Sequence, residues 1–118
     1  MNSIVAAVDD LMFSSRIATA AKQMGIEVSF ARSSEDVISQ ARAKKPGLII
    51  FDLNAARLDP ICAITALKAD DTMRDTTTMG FVSHVDSAII AAARAAGIDE
   101  VLARSAFTER LAEILTTG

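Results

Sequence analysis

Leu48-Ile49-Ile50-Phe51-Asp52 is the stretch that decides the fold. Four consecutive apolar side chains with no polar alternation have no solvent face, as expected of a central parallel strand buried on both sides. Pro46-Gly47 stops whatever precedes the run, and an acid ends it. A strand covered on both faces needs strand neighbours on its edges and helices above and below. The flanking chain should therefore alternate strand with helix.

Upstream, Ile4-Val5-Ala6-Ala7-Val8 is a second short apolar run ending in acids, read as a buried strand. Phe13 to Met24 follows as a helix, with Phe13, Ile17, Ala20, Ala21 and Met24 along one face and Gly25 where a left-handed C′ residue is wanted. Val28 to Ala31 is a more polar strand, expected nearer an edge. Ser33-Ser34-Glu35-Asp36 offers an N-cap with an acid three residues on, and Val37, Ile38 and Ala41 follow on one face. Lys44-Lys45 puts positive charge at that helix's C-terminus.

Downstream, a loop runs from Leu53 to Pro60 and a helix from about Ile61 to Ala69. Met79 to Val82 is a fourth strand, led in by Thr76 to Thr78. Ser87 to Ala96 is a helix capped by Asp86 and closed by Gly97. Glu100 to Leu102 is a short fifth strand, and Phe107 to Leu115 the last helix, with Ser105 as its cap. Five strands alternating with five helices predict an α/β domain, its parallel sheet covered on both faces. No repeat, low-complexity tract or linker interrupts residues 1–118, so a single domain is expected. The last helix ends about three residues before the terminus, leaving no expected room for an appended effector domain.

Composition narrows the function. At 118 residues, 51% hydrophobic and 23% charged, the chain has the size and apolar content of one ordinary domain. Its 22 alanines favour helix and close packing. Five Phe with no Tyr or Trp argue against a base-stacking platform. A net charge of −3 without long runs of either sign argues against a phosphate-tracking surface, so no nucleic-acid partner is expected. The longest apolar stretch, Ala88 to Ala93, is far short of a bilayer span, and Met1-Asn2-Ser3 has no basic n-region, so no membrane association is expected. The single cysteine, Cys62, forms no internal disulfide, which suits a reducing cytoplasm. With His84 the only histidine, any metal must be held by oxygen.

In an open parallel sheet, ligands bind beyond the carboxyl ends of the strands. Asp9 and Asp10 stand after the first strand, Asp52 at the third, Ser83 after the fourth and Arg104 just past the fifth. Crowded carboxylates repel, which should raise their pKa values and invite a hard divalent cation, of which Mg²⁺ is the natural one. Beside such an ion the Asp52 carboxylate could act as a nucleophile toward phosphorus, giving an acyl phosphate. Ser83 could donate to one phosphoryl oxygen and Arg104 neutralise another. His84 reads as a surface-loop residue, Cys62 as a small buried hydrophobe on the third helix, and Phe13 as core. Arg57 and Asp70-Asp71 read as solvated loop charges.

Four segments in this order resemble the receiver domain of bacterial two-component response regulators over essentially the whole chain. They are Val8-Asp9-Asp10, Ile49-Ile50-Phe51-Asp52-Leu53-Asn54, Phe81-Val82-Ser83-His84, and Ala95 through Ser105. The resemblance implies a flavodoxin-like five-stranded sheet of order 2-1-3-4-5. It also implies phosphorylation of Asp52 by a histidine kinase or phosphotransfer protein, with Mg²⁺ held by Asp9, Asp10, Asp52 and the backbone carbonyl of Asn54. Such a chain is a signalling domain that at most catalyses its own phosphorylation and dephosphorylation, and it acts through a downstream protein partner held noncovalently. The alanine-rich fourth helix would also permit a homodimer.

The chain departs from the family's pattern in several places. Arg104 stands where the family has lysine, and Ser105 where it has proline. A planar guanidinium is not equivalent to a point charge at a packed site. Ala55-Ala56 replaces Met-Pro, and Pro60 replaces a glycine, which leaves this stretch open to another backbone path, since Pro cannot supply positive φ. Val101 replaces the aromatic of the fifth strand, so the family's coupled hydroxyl–aromatic rearrangement is not expected, and the stretch from Ser83 to Gly97 is about one residue short of the common spacing. A phosphorylation-independent pseudo-receiver, with Arg104 locked onto Asp52, is therefore the alternative. An aspartyl-phosphate hydrolase of the haloacid dehalogenase kind is disfavoured, because position 54 is Asn and the general acid is missing. Flavodoxin-like cofactor binding is disfavoured by the acidic loop after the first strand.

Overall fold

The computed structural model describes residues 3–84 and 86–116. Met1 and Asn2, at the start read above for a leader, lie outside them. The elements in chain order are β1 (Ser3–Ala7), α1 (Leu11–Gln23), β2 (Glu27–Phe30), α2 (Ser34–Lys44), β3 (Leu48–Asp52), a 3₁₀ turn (Ala56–Leu58), α3 (Pro60–Ala69), β4 (Thr77–Val82), α4 (Ser87–Ala96), β5 (Glu100–Ala103), α5 (Arg104–Glu109) and α6 (Leu111–Leu115). All strand pairs are parallel, in the order β2-β1-β3-β4-β5. β3, apolar from Leu48 to Phe51, is the central strand, buried along its whole length, and the more polar β2 is an edge.

Side-chain alternation along the strands divides the interior into two layers. Ile4, Ala6, Leu48 and Ile50 pack with Phe13, Ile17, Phe107 and Ile114 under α1, α5 and α6. Val5, Ala7, Ile49 and Phe51 pack with Val37, Ile64, Leu67 and Ala93 under α2, α3 and α4. No helix among the described residues is long and apolar enough to cross a membrane.

Local signals set most helix ends. Ser33 Oγ accepts from Asp36 N at 3.0 Å, and Asp86 and Gly97 (φ 107°) bracket α4 as the sequence predicts. The β3–α3 stretch meets its constraint differently. Asp59 itself takes the left-handed conformation (φ 45°) and caps α3, so Pro60 falls at N1, where a missing N–H costs nothing.

The last helix departs from expectation. It begins at Arg104, not near Phe107, and breaks at Arg110 into α5 and α6. Ser105 caps nothing, because it lies inside the first turn; the N-cap position is Ala103, with no side-chain bond. Cys62 is exposed rather than buried. The inward stripe of α3 runs through Pro60, Ala63, Ile64 and Leu67, and position 62 falls off it.

Candidate functional site

Asp52 ends β3, and by the pleat it belongs to the face of Leu48 and Ile50, on the α1 and α5 side. It is only 7% exposed. Its Oδ1 accepts from Asn54 N at 3.1 Å, and among the described residues no cation forms an ion pair with it. Burial raises its pKa above the ordinary carboxylate value. The Asn54 N–H and the Arg104 charge oppose the rise, and the charges of Asp9 and Asp10 add to it.

The acid pair is in the opposite condition. Asp10 is the N-cap of α1: its Oδ1 accepts from Met12 N at 2.9 Å and Phe13 N at 3.2 Å. Its Oδ2 accepts from Arg104 Nη2 at 2.8 Å. Asp9 is ion-paired with Arg57, which stands on the 3₁₀ turn after β3. The pKa of each is lowered, Asp9 chiefly by the hydrogen bond from Arg57 and Asp10 chiefly by that from Arg104. The expectation is that crowding raises all three carboxylates; only Asp52 is raised, and there burial is the chief cause, with the charges of Asp9 and Asp10 adding the least. A bonded guanidinium beside Asp9 and beside Asp10 reverses the sign.

Arg104 is built in from below. Its Cζ lies 4.4 Å from the Phe13 ring centroid, a cation–π stack. Phe13, Phe81 and Phe107 form a tilted aromatic cluster with centroids 4.7, 5.0 and 5.7 Å apart. The guanidinium spans from Asp10 to Ser83, with Nη1 3.4 Å from Ser83 Oγ. It therefore joins the ends of β1 and β4, and the lock onto Asp52 expected for the pseudo-receiver alternative is absent among the described contacts.

The Asn54 side chain ties the β3 end to the β4 end. Its Oδ1 accepts from Ser83 N at 2.6 Å and from His84 N at 3.4 Å. One open cleft of about 250 Å³ takes in Asp9, Asp10, Asp52, Asn54, Ser83 and Arg104, so every residue predicted for the site reaches it. His84 is exposed beside it, as expected of a loop residue.

Sequence reasoning missed three features. Asp10 directly before an apolar-periodic helix is a readable cap signal. Arg57 was readable only as an opposite charge five residues past Asp52. The Asn54 side-chain bond had no local signal.

Metal donors in the cleft are the Asp52 oxygen that Asn54 leaves free, the Asp9 oxygen that Arg57 leaves free, and the Asn54 backbone carbonyl, which accepts from Ala56 N at 3.0 Å and keeps a second lone pair. These are hard oxygens of the kind that suits Mg²⁺, which needs one or two carboxylates and keeps several waters. Among the described residues, no three His, Cys, Asp or Glu side chains converge as a metal cluster. Asp10, predicted as a ligand, has both oxygens engaged.

The sequence profile for the response regulator receiver domain matches residues 4–116. No curated protein matches the sequence. Among solved structures, the chain is similar to a response regulator from Hahella chejuensis (TM-score 0.86, 17% identity, covering 98% of this chain and 93% of that one). It is also similar to the chemotaxis response regulator CheY4 of Vibrio cholerae (TM-score 0.82, 17% identity, 98% and 97% covered). A third is the receiver domain of sensor histidine kinase PA1611 from Pseudomonas aeruginosa PAO1, which has a magnesium ion coordinated in its active site cleft (TM-score 0.83, 17% identity, 98% and 94% covered). At these identities the likeness to solved structures is one of fold.

Proposed function

The chain belongs to the response regulator receiver domain family, and from that premise we propose that it accepts a phosphoryl group on Asp52 with Mg²⁺ and signals by binding a protein partner noncovalently. The observation that carries the reading is the Asp52 carboxylate itself: 7% exposed, one oxygen held by the Asn54 N–H, and no cation bonded to it among the described residues. A nucleophile must keep an electron pair free, and the direction of its pKa shift makes Asp52 a stronger base than an ordinary aspartate.

In the proposed step, an ionised Asp52 oxygen attacks the phosphorus of a phosphohistidine on a kinase or phosphotransfer protein. The O–P bond forms as the P–N bond breaks. The imidazole leaves with that electron pair and takes a proton from solvent. Bound Mg²⁺ would offset the charge on the phosphoryl oxygens, held by Asp9, Asp52 and the Asn54 carbonyl while Asp10 contributes charge from behind its two engaged oxygens. Ser83 Oγ donates to one phosphoryl oxygen, and Arg104 offers Nη1 to another while Nη2 stays on Asp10. The bonds from Asn54 to Asp52, Ser83 and His84 supply a path from the phosphoacceptor to the residues after β4. That path does not require an aromatic at Val101.

The test is incubation of the full chain with acetyl phosphate and Mg²⁺, read by intact mass. The reading predicts a gain of one phosphoryl group, absent in Asp52→Asn. A second reading, the phosphorylation-independent interaction module, draws on the two guanidiniums already balancing Asp9 and Asp10. No mass gain together with no Mg²⁺ binding would select it.

A further inference from the structure

We propose that Arg57 is a built-in competitor for the divalent cation: its guanidinium occupies one oxygen of Asp9 and offsets the charge that carboxylate would offer the ion, so the two compete for the same side chain. This rests on the reading that the cleft takes Mg²⁺. The two arginines paired with the acid pair, Arg57 on Asp9 and Arg104 on Asp10, differ in how they are held. Arg104 is stacked on Phe13, bonded to the cap of α1, and 34% exposed at its side chain. Arg57 is 68% exposed, and its only described polar partner is Asp9. Releasing an exposed ion pair into water costs little, whereas moving Arg104 would unmake a stack on Phe13 and a bond to the residue that caps α1.

The backbone beneath Arg57 is fixed. Leu58, the next residue, is 1% exposed, and Asp59 caps α3. The side chain can swing away without unfolding the turn. Charge sets the direction of the competition. With Arg57 on Asp9, three carboxylates face two guanidiniums and the cleft carries a single net negative charge. With Arg57 released the cleft carries two, the charge that a divalent ion cancels.

Arg57 therefore weakens cation binding. By linkage, cation binding weakens the ion pair by which Arg57 ties the β3–α3 turn to the loop after β1. The residues joined are 48 positions apart. Occupancy of the cleft is thereby reported on the surface of that turn.

The test is Mg²⁺ binding to the full chain by calorimetry, with Arg57→Gln, Arg57→Lys and Arg42→Gln compared with the unaltered protein. Arg42 pairs with Asp70 on the α2–α3 side, so its loss removes the same charge away from the cleft. Arg57→Gln should bind Mg²⁺ roughly three- to ten-fold tighter, Arg57→Lys should remain nearer the unaltered protein, and Arg42→Gln should change affinity by less than about two-fold. In the unaltered protein, saturating Mg²⁺ should shift the Arg57 Nε–H resonance toward that of a free guanidinium. Equal or weaker Mg²⁺ binding by Arg57→Gln, or a gain matched by Arg42→Gln, overturns the competitor role and leaves the phosphoacceptor reading standing. Absence of Mg²⁺ binding in both the unaltered protein and Arg57→Gln overturns both.

Discussion

Asp52 and Asp99 are carboxylates at opposite rims of the same sheet, and for each the largest single influence on its pKa is burial, which raises it. The outcomes differ in sign. Asp99 Oδ2 accepts from Thr78 N at 2.8 Å, Thr78 Oγ1 at 2.9 Å and Lys68 Nζ at 3.2 Å. Lys68 is further held by the carbonyls of Arg74 and Thr76. Those bonds together outweigh burial, and the pKa of Asp99 is lowered. Asp52 has one backbone donor, and burial prevails. A carboxylate whose lone pairs are used holds strands together, and one left short of partners keeps its basicity for chemistry.

The largest effect that can break this contrast is on covalent modification. Asp52→Asn should abolish phosphoryl uptake from acetyl phosphate, while Asp99→Asn should retain it, both read by intact mass. Next comes stability. Thr78 is 0% exposed, and Asp99→Ala strips the acceptor from its N–H and hydroxyl. Leaving buried donors unmatched costs about 1–3 kcal/mol, measurable by urea unfolding. Asp52→Asn should do the reverse and raise the melting temperature at neutral pH, because it removes a buried charge that the fold leaves underpaired.

A smaller effect is the pH dependence of those two differences. With its pKa raised, Asp52 binds a proton more tightly folded than unfolded. Its penalty is present at neutral pH and is relieved as pH falls through the raised value. The advantage of Asp52→Asn should therefore shrink on acidification. Asp99, with its pKa lowered, contributes stability above the ordinary carboxylate value and loses it as pH falls through its folded value. The deficit of Asp99→Ala should therefore also shrink, but over a more acidic range than that of Asp52. Melting curves from neutral to about pH 3 separate the two windows. The smallest expected effect is at Arg104→Lys: it keeps a charge beside Asp10 and Ser83 but loses the planar stack on Phe13, and should lower the melting temperature slightly while leaving Asp52 modifiable.

What was legible in the sequence was local. The unbroken apolarity of Leu48–Phe51 placed β3 at the centre, and the Asp86 and Gly97 caps gave α4 its observed ends. The strand-end acids and Ser83 could be placed at one rim because a parallel sheet delivers strand ends there. Partner choice was not legible. Arg104 reached the rim, but whether it would take Asp52 or Asp10, 94 positions away, depends on the Phe13 platform and on Asp10 standing as the cap of α1. The same contact holds the chain at Arg104 and accompanies a helix start ahead of the serine that looked like its cap. Arg57 read as a solvated charge because its partner lies on another loop. Cys62 read as buried because hydrophobicity was weighed without the α3 stripe that excludes it.

The contrast between the two rims is tested most directly by following the Asp52 and Asp99 side-chain carboxyl carbons by NMR through an acid titration of the full chain without divalent ions. Asp52 should titrate above the ordinary aspartate value and Asp99 below it. An Asp52 that titrates at or below Asp99 would contradict the account, since it would mean that the carboxylate at the end of β3 is already as well partnered as the one that only holds strands together.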